Sequence, residues 1–209
     1  VDADNGYGNA INVVRTVKEF EHAGVSGIHL EDQVWPKRCG HMFGKTLIPK
    51  EEMCQKLKAA QDAREDPEFV LIARCDAMLV NGLDDVLERC DAYVEAGADM
   101  LFCEVRNSMD EVKAVADHFR GRVPLHWNHS PSPMVPRLSA KEVEALGFKT
   151  CCFYVQSLMA AAKTMREVLA EIRKSGTSEG VVDRMIGFDE LWEINDMSSI
   201  REMEQKYAV

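Results

Sequence analysis

Residues 23–33, AGVSGIHLEDQ, contain the unit from which the fold is predicted. Gly24 is typical of a residue that ends a helix. Residues 26–30 form the short apolar run of a buried strand, and the acidic residues Glu31 and Asp32 follow that strand. The same order of helix, apolar strand and terminal polar residue recurs along the chain. This repetition predicts an α/β fold with parallel strands.

Strands are predicted at residues 1–4, 26–30, 69–73, 100–103, 123–127 and 149–154, and helices at 9–23, 49–65, 83–96, 109–119 and 140–146. From Ser157 onward the chain is predicted to be mostly helical, with a polar break over residues 174–180. Such alternation fits either a doubly wound sheet or a (β/α)8 barrel. The dinucleotide-binding fingerprint G-x-G-x-x-G follows no strand. Chemically useful side chains instead cluster at the carboxyl ends of strands, where a barrel builds its active site.

We therefore predict a (β/α)8 TIM-type barrel. Residues 1–209 are expected to form a single, partial barrel domain with C-terminal helices. Because six strands are predicted, two more are expected before Val1, and N-terminal strands are thus expected to be absent from this chain.

The net charge, the apolar runs and the cysteine spacing indicate which classes of partner and compartment suit this chain. The formal net charge is −10 over 209 residues, which argues against nucleic acid or an anionic membrane surface as a partner. No segment approaches the roughly 20 apolar residues of a membrane span. The seven cysteines lack C-x-x-C spacing, which favours reduced thiols in the cytoplasm or an organelle matrix. An anionic small molecule would require a local basic pocket.

A hard-cation site is predicted from three acidic residues. Asp2 and Asp4 are two positions apart, and in an extended segment both carboxylates would project to the same side. Glu31, at the end of the next strand, completes an oxygen-rich set that suits Mg²⁺ or Mn²⁺. The alternatives are a solvated or capping role for the aspartates and a structural salt bridge for Glu31.

A candidate acid or nucleophile is Cys39, which lies in the segment Lys37-Arg38-Cys39-Gly40-His41. Nearby positive charge favours a thiolate, and the loop is long enough to move as a lid over the cation site. The alternative is a buried core thiol, which is the commonest fate of cysteine. That alternative fits poorly with such a polar neighbourhood.

Other strand ends supply groups that could bind carboxylates. Arg74 has a planar guanidinium suited to a carboxylate, although an ion pair with Asp76 or Glu104 is equally expected. The turn that begins at Asn128 adds an amide and the hydroxyls of Ser130 and Ser132, or is an ordinary turn. The histidines at 22, 29, 118 and 126 lack a ligand-like cluster and are predicted to be surface or core residues.

Seven motifs in order resemble the isocitrate lyase and phosphoenolpyruvate mutase superfamily. They are VDADNGYGN (1–9), AGVSGIHLEDQ (23–33), PKRCGH (36–41), GKTLIP (44–49), LIARCDA (71–77), EAGADMLFCE (95–104) and NHSPS (128–132). The resemblance implies a (β/α)8 barrel and a homo-oligomer, either dimer or tetramer. It also implies a small di- or tricarboxylate substrate and a Mg²⁺ cofactor, with Mn²⁺ as the alternative.

The resemblance also implies site roles. It implies that Asp2, Asp4 and Glu31 bind the metal ion. Catalytic roles fall to Cys39, His41 and Glu104, and Cys39 protonates the carbanion left by a retro-aldol cleavage. Substrate binding falls to Gly40, Arg74, Asn128, Ser130, Ser132 and Ser157.

The expected reaction is cleavage of isocitrate to glyoxylate and succinate. The Cys-Gly-His element is similar to that of the carbon–carbon lyases rather than the phosphonate-forming mutases, and the Asn128 motif is similar to the isocitrate lyase signature. The chain length instead resembles the 2-methylisocitrate lyase group. Alternatives are therefore a 2-methylisocitrate lyase, an oxaloacetate- or substituted-malate-cleaving relative, and a noncatalytic barrel fragment or regulatory subunit.

Overall fold

A computed structural model describes residues 1–40, 42–105, 108–133 and 135–208. Within these residues it contains five strands, β1 (Gly27–Glu31), β2 (Val70–Cys75), β3 (Met100–Cys103), β4 (His126–Asn128) and β5 (Thr150–Cys152). The helices are α1 (Ala10–His22), α2 (Lys50–Ala63), α3 (Leu83–Glu95), α4 (Met109–Phe119), α5 (Ala140–Leu146), α6 (Gln156–Ser175), α7 (Phe188–Ile194) and α8 (Met197–Tyr207). Two compact units result, residues 1–154 and residues 155–209. The prediction of a single domain stays a prediction.

The strands of the first unit are parallel and follow one another in chain order. β1 pairs with β2 and β2 with β3, while β4 pairs with β5. A parallel bridge between Leu101 and Leu125 joins these two groups of strands. A doubly wound sheet reverses its strand order at a switch point, whereas a barrel keeps chain order. The observed order therefore favours the barrel.

The core lies where helices cover the strands. Val13 and Val17, one turn apart on α1, are completely buried together with Ile28 of β1. Asn9 caps α1 in a capping box with Asn12, which satisfies backbone donors at the helix start. The helix predicted over residues 9–23 is thus observed as α1.

The prediction of a regular strand over residues 1–4 is wrong. Asp2 forms one isolated parallel bridge with His29, and Asp4 has a positive φ of 50°. The Asp4 amide donates to Asp2 Oδ1 at 2.8 Å, which is a local turn contact. The two aspartates therefore do not share one extended segment, so the two-residue repeat of a strand does not describe how their carboxylates are placed.

The second unit is helical, as predicted. α6 ends at Gly176, which has a left-handed conformation, and a 3₁₀ turn spans Glu179–Arg184 before α7. This end coincides with the polar break predicted over residues 174–180. No helix of the described part of the chain has the length and apolar character of a membrane span.

Candidate active site

A cavity of about 580 Å³ lies at the carboxyl ends of the strands in the first unit, and we call it the strand-end cavity. Its walls carry Val1, Asp2, His29, Lys37, Cys39, Gly40, Ile72, Arg74, Phe102, Glu104, His126, Asn128, Cys152 and Tyr154. Six residues predicted from the sequence therefore meet in one place: Asp2, Cys39, Gly40, Arg74, Glu104 and Asn128.

The lining follows from the two-residue repeat of a strand. On β2, Ile72 and Arg74 point to the same side, and Phe102 and Glu104 repeat this arrangement at β3. Each polar residue at a strand end therefore has a cavity-lining residue two positions earlier. His126 stands two positions before Asn128 for the same reason. This spacing is the signal that could have identified Ile72, Phe102 and His126.

The prediction that His29 and His126 are simple surface or core residues needs correction, because both line the cavity. The Phe102 ring packs edge-on against both imidazoles, at centroid distances of 5.7 Å and 5.1 Å. Burial lowers the pKa of His29 to about 4, with nearby Asp2 acting in the opposite direction. Burial also lowers the pKa of His126. Burial therefore favours the neutral form of both imidazoles.

Arg74 is the central cation of the site. Its Nε lies 2.9 Å from Asp76 Oδ2 and 3.4 Å from Glu31 Oε2, and its Nη2 lies 3.8 Å from Glu104 Oε2. The guanidinium carbon stands 4.8 Å from the Phe102 ring centroid. Burial alone would lower the pKa of Arg74, but the surrounding carboxylates raise it. The ion pairs foreseen for Arg74 are thus present, and the same guanidinium also faces the cavity.

Lys37 lies between two of the predicted metal ligands. Its Nζ is 2.7 Å from Asp4 Oδ1 and 3.4 Å from Glu31 Oε1. Burial opposes the charge of Lys37, but the bond to Asp4 and the nearby carboxylates raise its pKa. Lys37 is a functional candidate that the sequence reasoning left out of the site, although it stands in the quoted PKRCGH motif.

Asp4 and Glu31 carry the oxygen donors that a Mg²⁺ site would need. Both oxygens of Glu31 are buried and accept no hydrogen bond from the described residues, and burial raises the pKa of Glu31 to about 7 despite Arg74. Within the described residues, His, Cys, Asp and Glu side chains form no three-membered cluster with metal-ligand geometry. The donor chemistry nevertheless suits a hard divalent ion. The two Glu31 oxygens lie beside Asp4, and the Lys37 ammonium already lies between these two carboxylates.

Ser130 and Ser132 are held by hydrogen bonds close to the turn that begins at Asn128. Ser130 is buried behind the wall, with its Oγ 3.2 Å from the Tyr154 hydroxyl, and the Ser132 amide bonds to that Oγ at 3.2 Å. Neither serine lines the strand-end cavity as described. Ser157 is exposed at the start of α6 in the second unit, and His41 lies outside the described residues.

A buried network supports the cavity from behind. Asp32 Oδ1 accepts the Asp76 amide at 2.9 Å, and its Oδ2 accepts the Tyr93 hydroxyl at 2.7 Å. Arg89 Nη1 lies 3.5 Å from the same carboxylate. The strand-end segments after β1 and β2 are thereby held together.

The phosphoenolpyruvate phosphomutase family model matches residues 1–173. This chain belongs to that family. It is 42% identical over 207 residues to 2,3-dimethylmalate lyase of Eubacterium barkeri, covering 99% of this chain and 71% of the relative. It is also 42% identical over 197 residues to a probable 2-methylisocitrate lyase of Corynebacterium glutamicum, covering 93% of this chain and 63% of the relative.

The solved structure of phosphonopyruvate hydrolase in complex with oxalate and Mg²⁺ is similar with a TM-score of 0.87 and 33% identity, covering all of this chain and 72% of that one. The family and the TIM-type α/β fold are thus confirmed, as is membership of an enzyme superfamily of carbon–carbon lyases and mutases. The isocitrate lyase prediction was too specific. The two relatives favour the alternative of a 2-methylisocitrate lyase or a substituted-malate-cleaving relative, since their names point to a methyl-substituted hydroxy acid.

Proposed function

We propose that this protein is a Mg²⁺-dependent carbon–carbon lyase that cleaves a methyl-substituted 2-hydroxy acid of the 2-methylisocitrate or 2,3-dimethylmalate type. The observation that carries the proposal is the strand-end cavity itself. Cys39, Arg74 and Asp2 line this single volume. The names of the two 42% identical relatives support the substrate class.

Anion binding follows from the cations of the cavity. Arg74 and Lys37 line the cavity and supply the cationic donors that a di- or tricarboxylate requires in a chain of formal charge −10. The side-chain amide of Asn128 adds a neutral donor on the wall. A guanidinium whose position is fixed by Asp76 orients a carboxylate better than a mobile one, because less freedom is lost on binding.

The methyl group of the substrate has a suitable surface. Ile72 and Phe102 form an apolar part of the same wall, next to the charged groups. Burying one methyl group there contributes about 1 kcal/mol. This wall favours a methyl-bearing acid over isocitrate.

Cys39 performs the proton transfer. The bond between the carbinol carbon and its neighbour breaks, and its electron pair passes to the carbon that bears the second carboxylate. The Cys39 S–H then gives its proton to that carbon, which leaves a thiolate to be reprotonated before the next turnover. The hydroxyl proton leaves to a base that we do not assign. The products are a 2-oxo acid and a saturated carboxylic acid.

Asp2, Asp4 and Glu31 are the residues that would hold the metal ion. When bound, Mg²⁺ supplies Lewis-acid stabilisation of the negative charge that develops on the substrate's oxygens. Lys37, already between Asp4 and Glu31, would balance the charge of the acidic residues around the ion.

A substrate panel tests this function. Isocitrate, 2-methylisocitrate, 2,3-dimethylmalate and oxaloacetate would be incubated with the protein in Mg²⁺ and in chelator, and glyoxylate, pyruvate and oxalate measured. We expect Mg²⁺-dependent pyruvate release from a methyl-substituted acid. Release of glyoxylate alone would instead support cleavage of isocitrate. Release of oxalate alone would support cleavage of oxaloacetate. An inactive protein would support a noncatalytic role.

We also propose a homo-oligomer located in the cytoplasm or an organelle matrix. Leu158, Met165 and Leu169 are apolar and exposed on α6, which supports association. Light scattering on the protein in solution would test the assembly, and a monomer would contradict it.

A further inference from the structure

Lys45 has a buried ammonium group whose role neither the motif nor the proposed reaction explains. It belongs to the GKTLIP segment at the end of the loop that carries Cys39. Its side chain is only 2% exposed. Its Nζ lies 2.9 Å from Asp76 Oδ1 and 3.1 Å from the Gly40 carbonyl oxygen.

A buried lysine is costly unless its charge is paired and its donors are used. Lys45 meets both conditions with one partner from each of two segments. Asp76 follows strand β2, whereas Gly40 lies in the loop directly after Cys39. The ammonium therefore links the Cys39 loop to the end of β2.

This link reaches the substrate-binding cation through a single carboxylate. Asp76 Oδ1 accepts from Lys45, and Asp76 Oδ2 accepts from Arg74 Nε at 2.9 Å. Both Gly40 and Arg74 line the strand-end cavity. One carboxylate thus relates the position of the loop to the position of the guanidinium.

Other contacts hold the loop in a different way. Gln33 Nε2 donates to the Arg38 carbonyl and Gln33 Oε1 accepts the Arg38 amide, both at 3.0 Å. Arg38 Nη1 also donates to the Phe43 carbonyl at 3.2 Å. These bonds join the loop to residues next to it in the chain, whereas Lys45 joins the loop to the end of β2.

We propose that Lys45 is a positioning residue that sets the distance between the Cys39 acid and the Arg74-bound carboxylate by bridging Gly40 to Asp76. This role rests on the proposed lyase function. Lys45 is not among the described residues that line the strand-end cavity, so it acts through the backbone next to Cys39. The competing role is structural, in which Lys45 only neutralises Asp76.

The test compares Lys45→Met and Lys45→Gln with Arg64→Met. Arg64 makes the same kind of bridge at the opposite ends of the strands, since its Nη1 lies 2.7 Å from Asp99 Oδ2 and 2.8 Å from the Phe69 carbonyl. The Lys45→Gln variant keeps an N–H donor without the buried charge, which provides a folded protein if the Lys45→Met variant does not fold.

Amide hydrogen exchange gives a readout that needs no substrate. In the Lys45 variants, the peptide containing Cys39 and Gly40 should exchange faster, while peptides from β1 and β3 stay protected. Arg64→Met should leave the Cys39 peptide unchanged. Unchanged exchange at Cys39 in the Lys45 variants, or lost protection throughout β1 and β3, would overturn the proposal.

Kinetics then separate positioning from structure. We expect kcat to fall about 10- to 100-fold in Lys45→Met, with KM changed far less. In a Cys39→Ser background the same substitution should cost little more, because both changes affect one step. If the double variant lost kcat by the product of the two single-variant decreases, positioning through Cys39 would be contradicted. Failure of the proposed function would be recognised separately, as inactivity of the unsubstituted protein.

Discussion

The two ends of the parallel strands carry similar ion pairs in different surroundings. At the carboxyl ends, Arg74 pairs with Asp76 at 2.9 Å, and that carboxylate is 0% exposed. At the amino ends, Arg64 pairs with Asp99 at 2.7 Å, and the Asp99 side chain is 34% exposed. Asp99 also accepts the Leu71 amide, so this pair supports the backbone of β2.

This difference separates positioning from stabilisation. Buried ion pairs cost solvation energy that their attraction only partly offsets, so they are weak devices for stability. The carboxyl ends nevertheless hold Glu31, Arg74, Asp76 and Glu104 almost fully buried. These charges fix cations and carboxylates beside a cavity, whereas the partly exposed pair at the other end joins neighbouring segments of the fold.

The largest effect is expected from Cys39→Ser. Serine keeps the approximate size but is a much weaker acid, so kcat should fall by about 10²- to 10⁴-fold with the fold intact. Cys54→Ser is the matched control, since Cys54 lies on α2 and its thiol contacts the Ala92 carbonyl. Turnover by steady-state assay should be normal in the control. Equal activity in both variants would remove Cys39 from the mechanism.

The next effect compares the two arginines directly. Arg74→Met leaves buried carboxylates without their cation, which should lower the free energy of unfolding by about 3–5 kcal/mol. Arg64→Met removes a partly exposed pair and should cost about 1 kcal/mol or less. Urea denaturation at pH 7 measures both. Equal losses would mean that the two ends do not differ as described.

The sequence predicted the repeating order and the strand-end polar residues because both depend on local patterns. It identified Arg74, Glu104 and Asn128 as neighbours, since parallel strands bring their carboxyl ends together. It did not predict that Lys37 lies between Asp4 and Glu31, because that placement depends on how a loop folds back. The turn at Asp4 was missed because its positive φ contradicts the extended pattern assumed for residues 1–4.

A smaller, pH-dependent effect is expected at Asp76. Burial alone would raise its pKa, but Arg74 and Lys45 outweigh burial and lower the pKa from 3.8 to about 2. The ionised group therefore adds stability that is complete above about pH 4 and is lost as the pH falls through about 2. One pKa unit is about 1.4 kcal/mol, so this contribution is on the order of 2 kcal/mol.

Asp76→Asn tests this sign. The stability difference between the natural protein and the variant should be largest above pH 4 and shrink toward pH 2 in urea titrations. A difference that stays constant over this range would show that the Asp76 charge is not what the two cations stabilise.

The smallest effect is expected from Glu31→Gln, which keeps the shape of the side chain but removes the charge of a proposed metal ligand. Binding of Mn²⁺, measured by electron paramagnetic resonance without substrate, should weaken about 10-fold. Glu51→Gln, on the exposed start of α2, should bind Mn²⁺ as the natural protein does. Unchanged Mn²⁺ binding in Glu31→Gln would exclude Glu31 from the metal site.

The most direct test of a positioned acid uses cleavage of 2,3-dimethylmalate in D₂O. The propionate formed carries one deuterium at the carbon that received it, and that carbon is then chiral. In the proposed reaction Cys39 delivers the deuteron from one side of the cavity, so we predict a single enantiomer of the labelled propionate. A racemic product would mean that free solvent protonates the carbanion, and would contradict the role assigned to Cys39.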